Sequence, residues 1–339
     1  ERLGATLQTR GGVDTIRIKL FTLTRYLPEL LVLAKEMIQS PAFDERELEL
    51  YKANKIERLK IDLRKNEVIA YRKLTEAIYG KAHPYGLNTE PDDYMAIRAL
   101  DLKSHHQHFI LPGRGMITLA GQFDDHDEAL IRQTFENIQF PDSNGQEEHQ
   151  VPKPKSAIGY FGFDGPQSHQ AAIRIGRRLF TQHHPDFDGL FVLNTILGGY
   201  FGSRLMNEIR EQQGLTYGIY SGLDSFALDG CLYISTETAT ANIDVVIKAI
   251  GLEVEKLRQE LVPEPELNMA RNYLMGHLMT QLDGPFSSMD YIKTLKIEGL
   301  ADASFDRLVK TVQEITPETL RSLAQQYLDL DQWATIVVR

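Results

Sequence analysis

Arg210 and Tyr217 stand seven residues apart in RLMNEIREQQGLTYGIYSG (Arg204–Gly222), one on each side of Gly214. A guanidinium and a phenol both donate hydrogen bonds, so such a pair can serve one acceptor from two sides. Two elements must position them. Leu205–Gln213 reads as a helical run, and a strand-like run carrying Tyr217 follows the break. Gly214 can take the positive φ that ends a helix, and the next strand can then project Tyr217 towards the helix end. On residue types alone the segment is also satisfied by an exposed helix arginine and a half-buried strand tyrosine.

The preceding glycine run, LGGYFGSRL (Leu197–Leu205), is not a phosphate loop. It lacks the Gly-Lys-Ser/Thr ending and an apolar strand before it. NTILGG (Asn194–Gly199) reads instead as a helix end followed by a turn. GPQSHQAAIRIG (Gly165–Gly176) reads as a strand whose polar residues need no special role. His105 and His108 in SHHQHF read as a solvated helix face, and QHHP (Gln182–Pro185) as a surface loop.

The chain has 339 residues, which suggests two ordinary domains. Net charge is −10 and no Lys/Arg-rich stripe occurs, which disfavours nucleic acid as a partner. The lone cysteine, Cys231, excludes an intrachain disulfide and leaves the compartment open, cytoplasmic or periplasmic. No apolar run approaches the roughly 20 residues of a membrane span. The opening ERLGATLQTRGG carries neither Met nor a signal peptide, so the chain is expected to be a fragment or a processed product.

The polar, proline-bearing segment 141–156 reads as a linker between a first domain, 1–140, and a second, 157–339. The two halves resemble each other. LDLKSHHQHF (Leu100–Phe109) matches ETLRSLAQQY (Glu318–Tyr327), with Leu102, Ser104, Gln107 and Phe109 opposite Leu320, Ser322, Gln325 and Tyr327. Each match leads into a short apolar run expected as a strand, Gly115–Gly121 and Trp333–Arg339. Upstream, FDEREL (Phe43–Leu48) matches VPEPEL (Val262–Leu267), and the strand and helix of Ile16–Gln39 match those of Cys231–Leu257. A common order at a nearly constant offset points to duplication. It also places the start of the first unit about 60 residues before Glu1, so the first domain is expected to be incomplete. Strand-turn-strand order with long amphipathic helices gives the fold class α+β: two tandem, duplicated domains with helices packed on mostly antiparallel sheets.

The chain resembles the insulinase/pitrilysin family of zinc peptidases, the group with an inverted H-x-x-E-H motif, in its two-domain bacterial and processing-peptidase-like branch. The most specific match is Gly198–Gly222, where the family has an R-x-x-x-G-L-x-Y element; LGATLQT (Leu3–Thr9), HPYG (His83–Gly86) and LAGQFD (Leu119–Asp124) add to it. The resemblance implies repeated α+β domains, of which two form half of a clamshell around a peptide. It implies that Tyr217 hydrogen-bonds a substrate carbonyl or developing oxyanion, and that Arg210 holds a substrate carbonyl or the tyrosine. It further implies that Gly198, Gly199 and Phe201 line the chamber and contact substrate.

None of the ten histidines stands in an H-x-x-E-H motif. In the family that motif precedes the segment that ERLGATLQTRGG resembles. Glu57 is the candidate distal zinc ligand by resemblance, with a solvated helix carboxylate beside Lys60 and Arg64 as the other reading. Zinc is expected in the complete or partnered enzyme and not tightly on this chain. Three functions stay open: a zinc-peptidase chain truncated before its metal motif, a non-catalytic subunit that binds peptide and completes a catalytic partner's chamber, and a structural or assembly subunit. The expected partners are peptide or unfolded protein, and a family member in a homo- or hetero-dimer.

Overall fold

The computed structural model describes residues 2–111, 115–136 and 151–339. They divide into two compact units, Glu1–Lys60 with Thr89–Gln150 and Ile61–Asn88 with Val151–Arg339.

In the first unit, alternation produces an antiparallel pair, β1 (Thr6–Gly11) and β2 (Ile16–Phe21), in register from Thr6↔Phe21 to Gly11↔Ile16. Their residues are exposed or half-buried throughout. Helix α1 (Leu27–Gln39) presents Leu27 and Leu31 to Ile131 of a later helix, and this trio is the unit's small core. Helix α2 (Glu45–Asp62) begins with Glu45 and Glu47, where carboxylates suit the helix dipole. The next helix, α3 (Asn66–Tyr79), lies in the second unit. The first unit resumes with α4 (Pro91–Ala96), α5 (Ala99–His105), a wider helical turn through Ile110, and α6 (Asp125–Glu136). Residues 115–120, expected as a strand, have no regular structure. An apolar run becomes a strand only beside a neighbour that completes its hydrogen bonds, and this run has none among the described residues.

The second unit is built on a five-stranded sheet: β3 (Gly159–Phe163), β4 (Gln170–Leu179), β5 (Ile219–Ser225), β6 (Gly230–Ala239) and β7 (Ala334–Val338). The order is β3-β7-β4-β6-β5; only the β3–β7 pair is parallel. One face packs on α7 (Phe187–Asn194), α8 (Ile243–Gln259), α9 (Glu264–Gln281), α11 (Ser304–Glu314) and α12 (Pro317–Tyr327). Ile173, Ile175, Leu232, Ile234 and Val337 point into that core. Helix α10 (Gly284–Ile297) lies between α9 and α11 in the chain.

The opposite face is covered by α3, whose Ala70, Leu74, Ile78 and Tyr79 pack on Ala172, Cys231, Ala334, Ile336 and Val338. Covered on both sides, β4 is buried almost continuously, as strands between two helical layers are. Helices occupy both faces of this sheet, and α3, which lies within the residues 1–140 expected as the first domain, packs in the second unit. Its apolar stripe explains both. The expected linker lies largely outside the described residues, but its end is pinned to α3: Lys155 and Ala157 donate backbone hydrogen bonds to Tyr79 and Ala77 carbonyls at 3.1 and 2.7 Å.

Candidate functional site

The segment around Arg210 forms a wide helix over Met206–Gln212, with Gln213 N donating to Glu208 O five residues back. Leu205 and Ile209 are fully buried in the main core and fix one side of it. Arg204 fastens its start to α9 through a two-pronged ion pair with Glu266, Nε–Oε1 2.7 Å and Nη2–Oε2 2.9 Å. Planar pairing of this kind adds direction as well as attraction. Gly214 ends the helix at φ +63°, as its position suggested. Its N–H donates to Arg210 O and that of Leu215 to Ile209 O, so the last carbonyls are satisfied.

Residues 215–218 then bridge to β5, and threonine hydroxyls strap them to β6. Thr238 Oγ1 donates to Leu215 O at 2.6 Å. Thr236 Oγ1 lies 2.9 Å from Thr216 Oγ1, which donates in turn to Glu237 O at 2.6 Å. The backbone that carries Tyr217 is thus tied down, while its side chain is 96% exposed. Arg210 lies over the Phe201 ring, 4.9 Å from its centroid, and pairs with Glu211. No hydrogen bond joins Arg210 to Tyr217 among the described residues.

Gly198 is buried against β5: a β-carbon there would stand 2.5 Å from Ser221 N. Close backbone approach therefore requires glycine at 198. Gly199 is tight against Asn194 O, and Phe201 is 65% exposed beside Arg210. The structure thus brings Arg210 and Phe201 together and sets Gly198 against the strand that follows Tyr217.

Glu57 lies on the open face of α2, its side chain 68% exposed and 2.9 Å from Lys60 Nζ. Three of the histidines are engaged with carbonyls: His106 Nε2 with Ile38 O, His108 Nδ1 with Ser104 O, His183 Nε2 with Glu298 O. No three His, Cys, Asp or Glu side chains converge to hold a metal among the described residues. The described residues therefore do not fit a zinc site. No described helix is long and apolar enough to cross a membrane.

Sequence reading missed the clamp and the straps. Arg204–Glu266 joins residues 62 apart, and no local pattern announces it. The threonine latch likewise joins Thr216 to Thr236 and Glu237, about 20 residues away.

The model for the Peptidase M16 inactive domain matches residues 96–274, more than half of the chain, and the chain belongs to that family. An uncharacterized zinc protease of Mycobacterium leprae is 27% identical over 277 residues, 77% of this chain and 59% of that protein. A protein of Helicobacter pylori named as a non-peptidase homolog is 26% identical over 304 residues, 81% of this chain and 64% of its own length. The chain thus spans less than two thirds of either relative. The crystal structure of a protease from Helicobacter pylori has the same fold, with a TM-score of 0.88 at 17% identity, covering 100% of this chain and 83% of that one.

Proposed function

We propose that this chain is the substrate-binding half of a zinc-metallopeptidase-type protein. Peptide or unfolded protein binds along Arg210, Tyr217 and the loop bearing Gly198, Gly199 and Phe201. The observation that carries the reading is the strapped backbone at 215–218 holding out an almost fully exposed tyrosine. Exposure of Tyr217 contributes nothing to the core, whereas a fixed phenol is ready to donate to a passing peptide carbonyl. That hydrogen bond strengthens as the carbonyl oxygen gains charge, which is how preorganised donors favour a transition state. Arg210, on the wide helix that precedes the bridge, lies over the Phe201 ring and supplies a second donor. The described residues form no zinc ligand set, so the reading assigns this chain binding and carbonyl polarisation, not water activation.

A second reading gives the same site to a non-catalytic subunit that completes the chamber of an H-x-x-E-H family partner, in a homo- or hetero-dimer. The name of the Helicobacter relative supports it. Fluorescence anisotropy with a labelled unstructured peptide tests the shared element. Tyr217→Phe and Arg210→Ala should each weaken binding about fivefold, the scale of one lost hydrogen bond. Equal binding by wild type and both variants contradicts the reading and leaves a structural role. The chain alone is expected neither to hold stoichiometric zinc nor to cleave the peptide. Chelator-sensitive cleavage by the chain alone would exclude both readings.

A further inference from the structure

On the α3 face of the second unit's sheet lies a half-open cavity of about 290 Å³ lined by Glu67, Tyr71, Arg72, Arg174, Tyr220 and Tyr233. Arg174 sits mid-strand in β4 and retains only 6% of its exposure. Its Nη1 donates to the carbonyls of Ile173 and Thr236, at 3.1 and 3.3 Å. Nε–H and both Nη2 hydrogens have no protein acceptor, and no carboxylate lies within ion-pair distance, among the described residues. A guanidinium carries five donors, and the Nε/Nη2 edge is the one that matches two oxygens in a plane. Burying a cation without an ion pair is costly, so the unfilled edge is the feature that needs a reason.

The rest of the cavity is shaped around that edge. The Tyr233 ring meets Tyr71 and Tyr220 edge to face, with centroids 6.5 and 6.2 Å away. Tyr233 lies over Gly222, where any β-carbon would clash with its ring at 2.5 Å. Burial pushes the Tyr71 phenol up to about 12 and that of Tyr233 higher still, so both remain donors near neutral pH. Two arginines and one glutamate line the cavity, and Glu237 just outside it also acts on Arg174. Glu67 also stands close to Glu237, outside the lining, and together with burial it raises the Glu237 pKa.

We propose that this cavity is a carboxylate-binding site, with Arg174 as its two-pronged anchor and Tyr71, Tyr220 and Tyr233 as aromatic walls. The carboxylate comes from a peptide C-terminus or from an acidic side chain. The site is separate from the Arg210/Tyr217 element. Tyr217→Phe leaves it unchanged, so failure of either assignment is distinguishable from failure of the other.

Calorimetric titration of the whole chain with N-acetyl-phenylalanine, N-acetyl-aspartate amide and N-acetyl-phenylalanine amide tests it. One or both acids should bind at least about tenfold tighter than the neutral amide, and which acid binds identifies the source. Arg174→Met should abolish the difference, and Arg174→Lys, which keeps charge but not the fork, should reduce it to about threefold. The exposed variant Glu67→Gln, which leaves the core untouched, should tighten acid binding several-fold. Inorganic phosphate that displaces the bound acid supports an oxyanion fork. Equal or absent binding of acids and amide overturns the proposal, as does an unchanged acid affinity in Glu67→Gln. Phosphate binding in the absence of acid binding overturns the carboxylate assignment.

Discussion

Two arginine–tyrosine constellations flank strand β5, and they are built in opposite ways. Arg210 and Tyr217 precede it on a strapped loop, with Tyr217 in solvent and Arg210 partly exposed over Phe201. Arg174 and Tyr220 belong to the sheet itself, with Tyr233 packed over Gly222 and the guanidinium buried. In the first, the backbone is fixed so that side chains can reach outward. In the second, the side chains are fixed and the cavity must receive what enters. A surface donor can be removed with little effect on stability, whereas a buried cation and its neighbours are part of the packing. The contrast teaches which substitutions report on binding alone.

The largest effect should come from the support beneath the first constellation. Ile209→Ala empties a fully buried position under the wide helix and should destabilise the chain by about 2–5 kcal/mol, read from chemical denaturation. Gly198→Ala forces a β-carbon to within 2.5 Å of Ser221 N, a backbone atom that cannot swing aside. A loss of about 1–3 kcal/mol is expected. If Gly198→Ala melts like wild type, the loop and β5 are less closely packed than described.

A smaller effect separates the latch from the fold. Thr216→Val removes the hydroxyl that accepts from Thr236 and donates to Glu237 O. Stability should fall by about 1 kcal/mol, with peptide binding weakened although no binding group is lost. Unaltered peptide affinity in a destabilised Thr216→Val protein would detach the latch from function.

The smallest effect depends on pH. Burial and the neighbouring Glu67 raise the Glu237 pKa, while Arg174 acts more weakly the other way. With the folded pKa above the unfolded one, the stability contribution is complete below the unfolded value. It is lost as pH rises through the folded value. Glu237→Gln should therefore match wild type in thermal melts near pH 4 and exceed it near pH 8. A constant difference across that range would mean that Glu237 does not titrate abnormally.

Much of this was legible in the sequence because it is local. Gly214 as a helix end and the strand-helix order shared by β2–α1 and β6–α8 both follow from short-range pattern. What escaped depends on distant partners. Residues 115–120 have strand composition but no neighbouring strand among the described residues, and α3 follows its apolar stripe to a sheet assembled 90 and more residues later. Arg174 was read as needing no role because AAIRIG looks like an ordinary strand. A lone arginine in a run of buried apolar positions was the available signal. The Arg210/Tyr217 spacing was visible, yet its support, the Thr236 and Thr238 hydroxyls and the Glu266 carboxylate, comes from β6 and α9 and could not be read from spacing.

The central claim is that Tyr217 is held out for a ligand and not for the fold. It is tested most directly by measuring stability and labelled-peptide affinity together for Tyr217→Phe. The account predicts a denaturation midpoint within about 0.5 kcal/mol of wild type, as for exposed positions, with peptide affinity reduced about fivefold. A destabilised protein with unchanged affinity would contradict it.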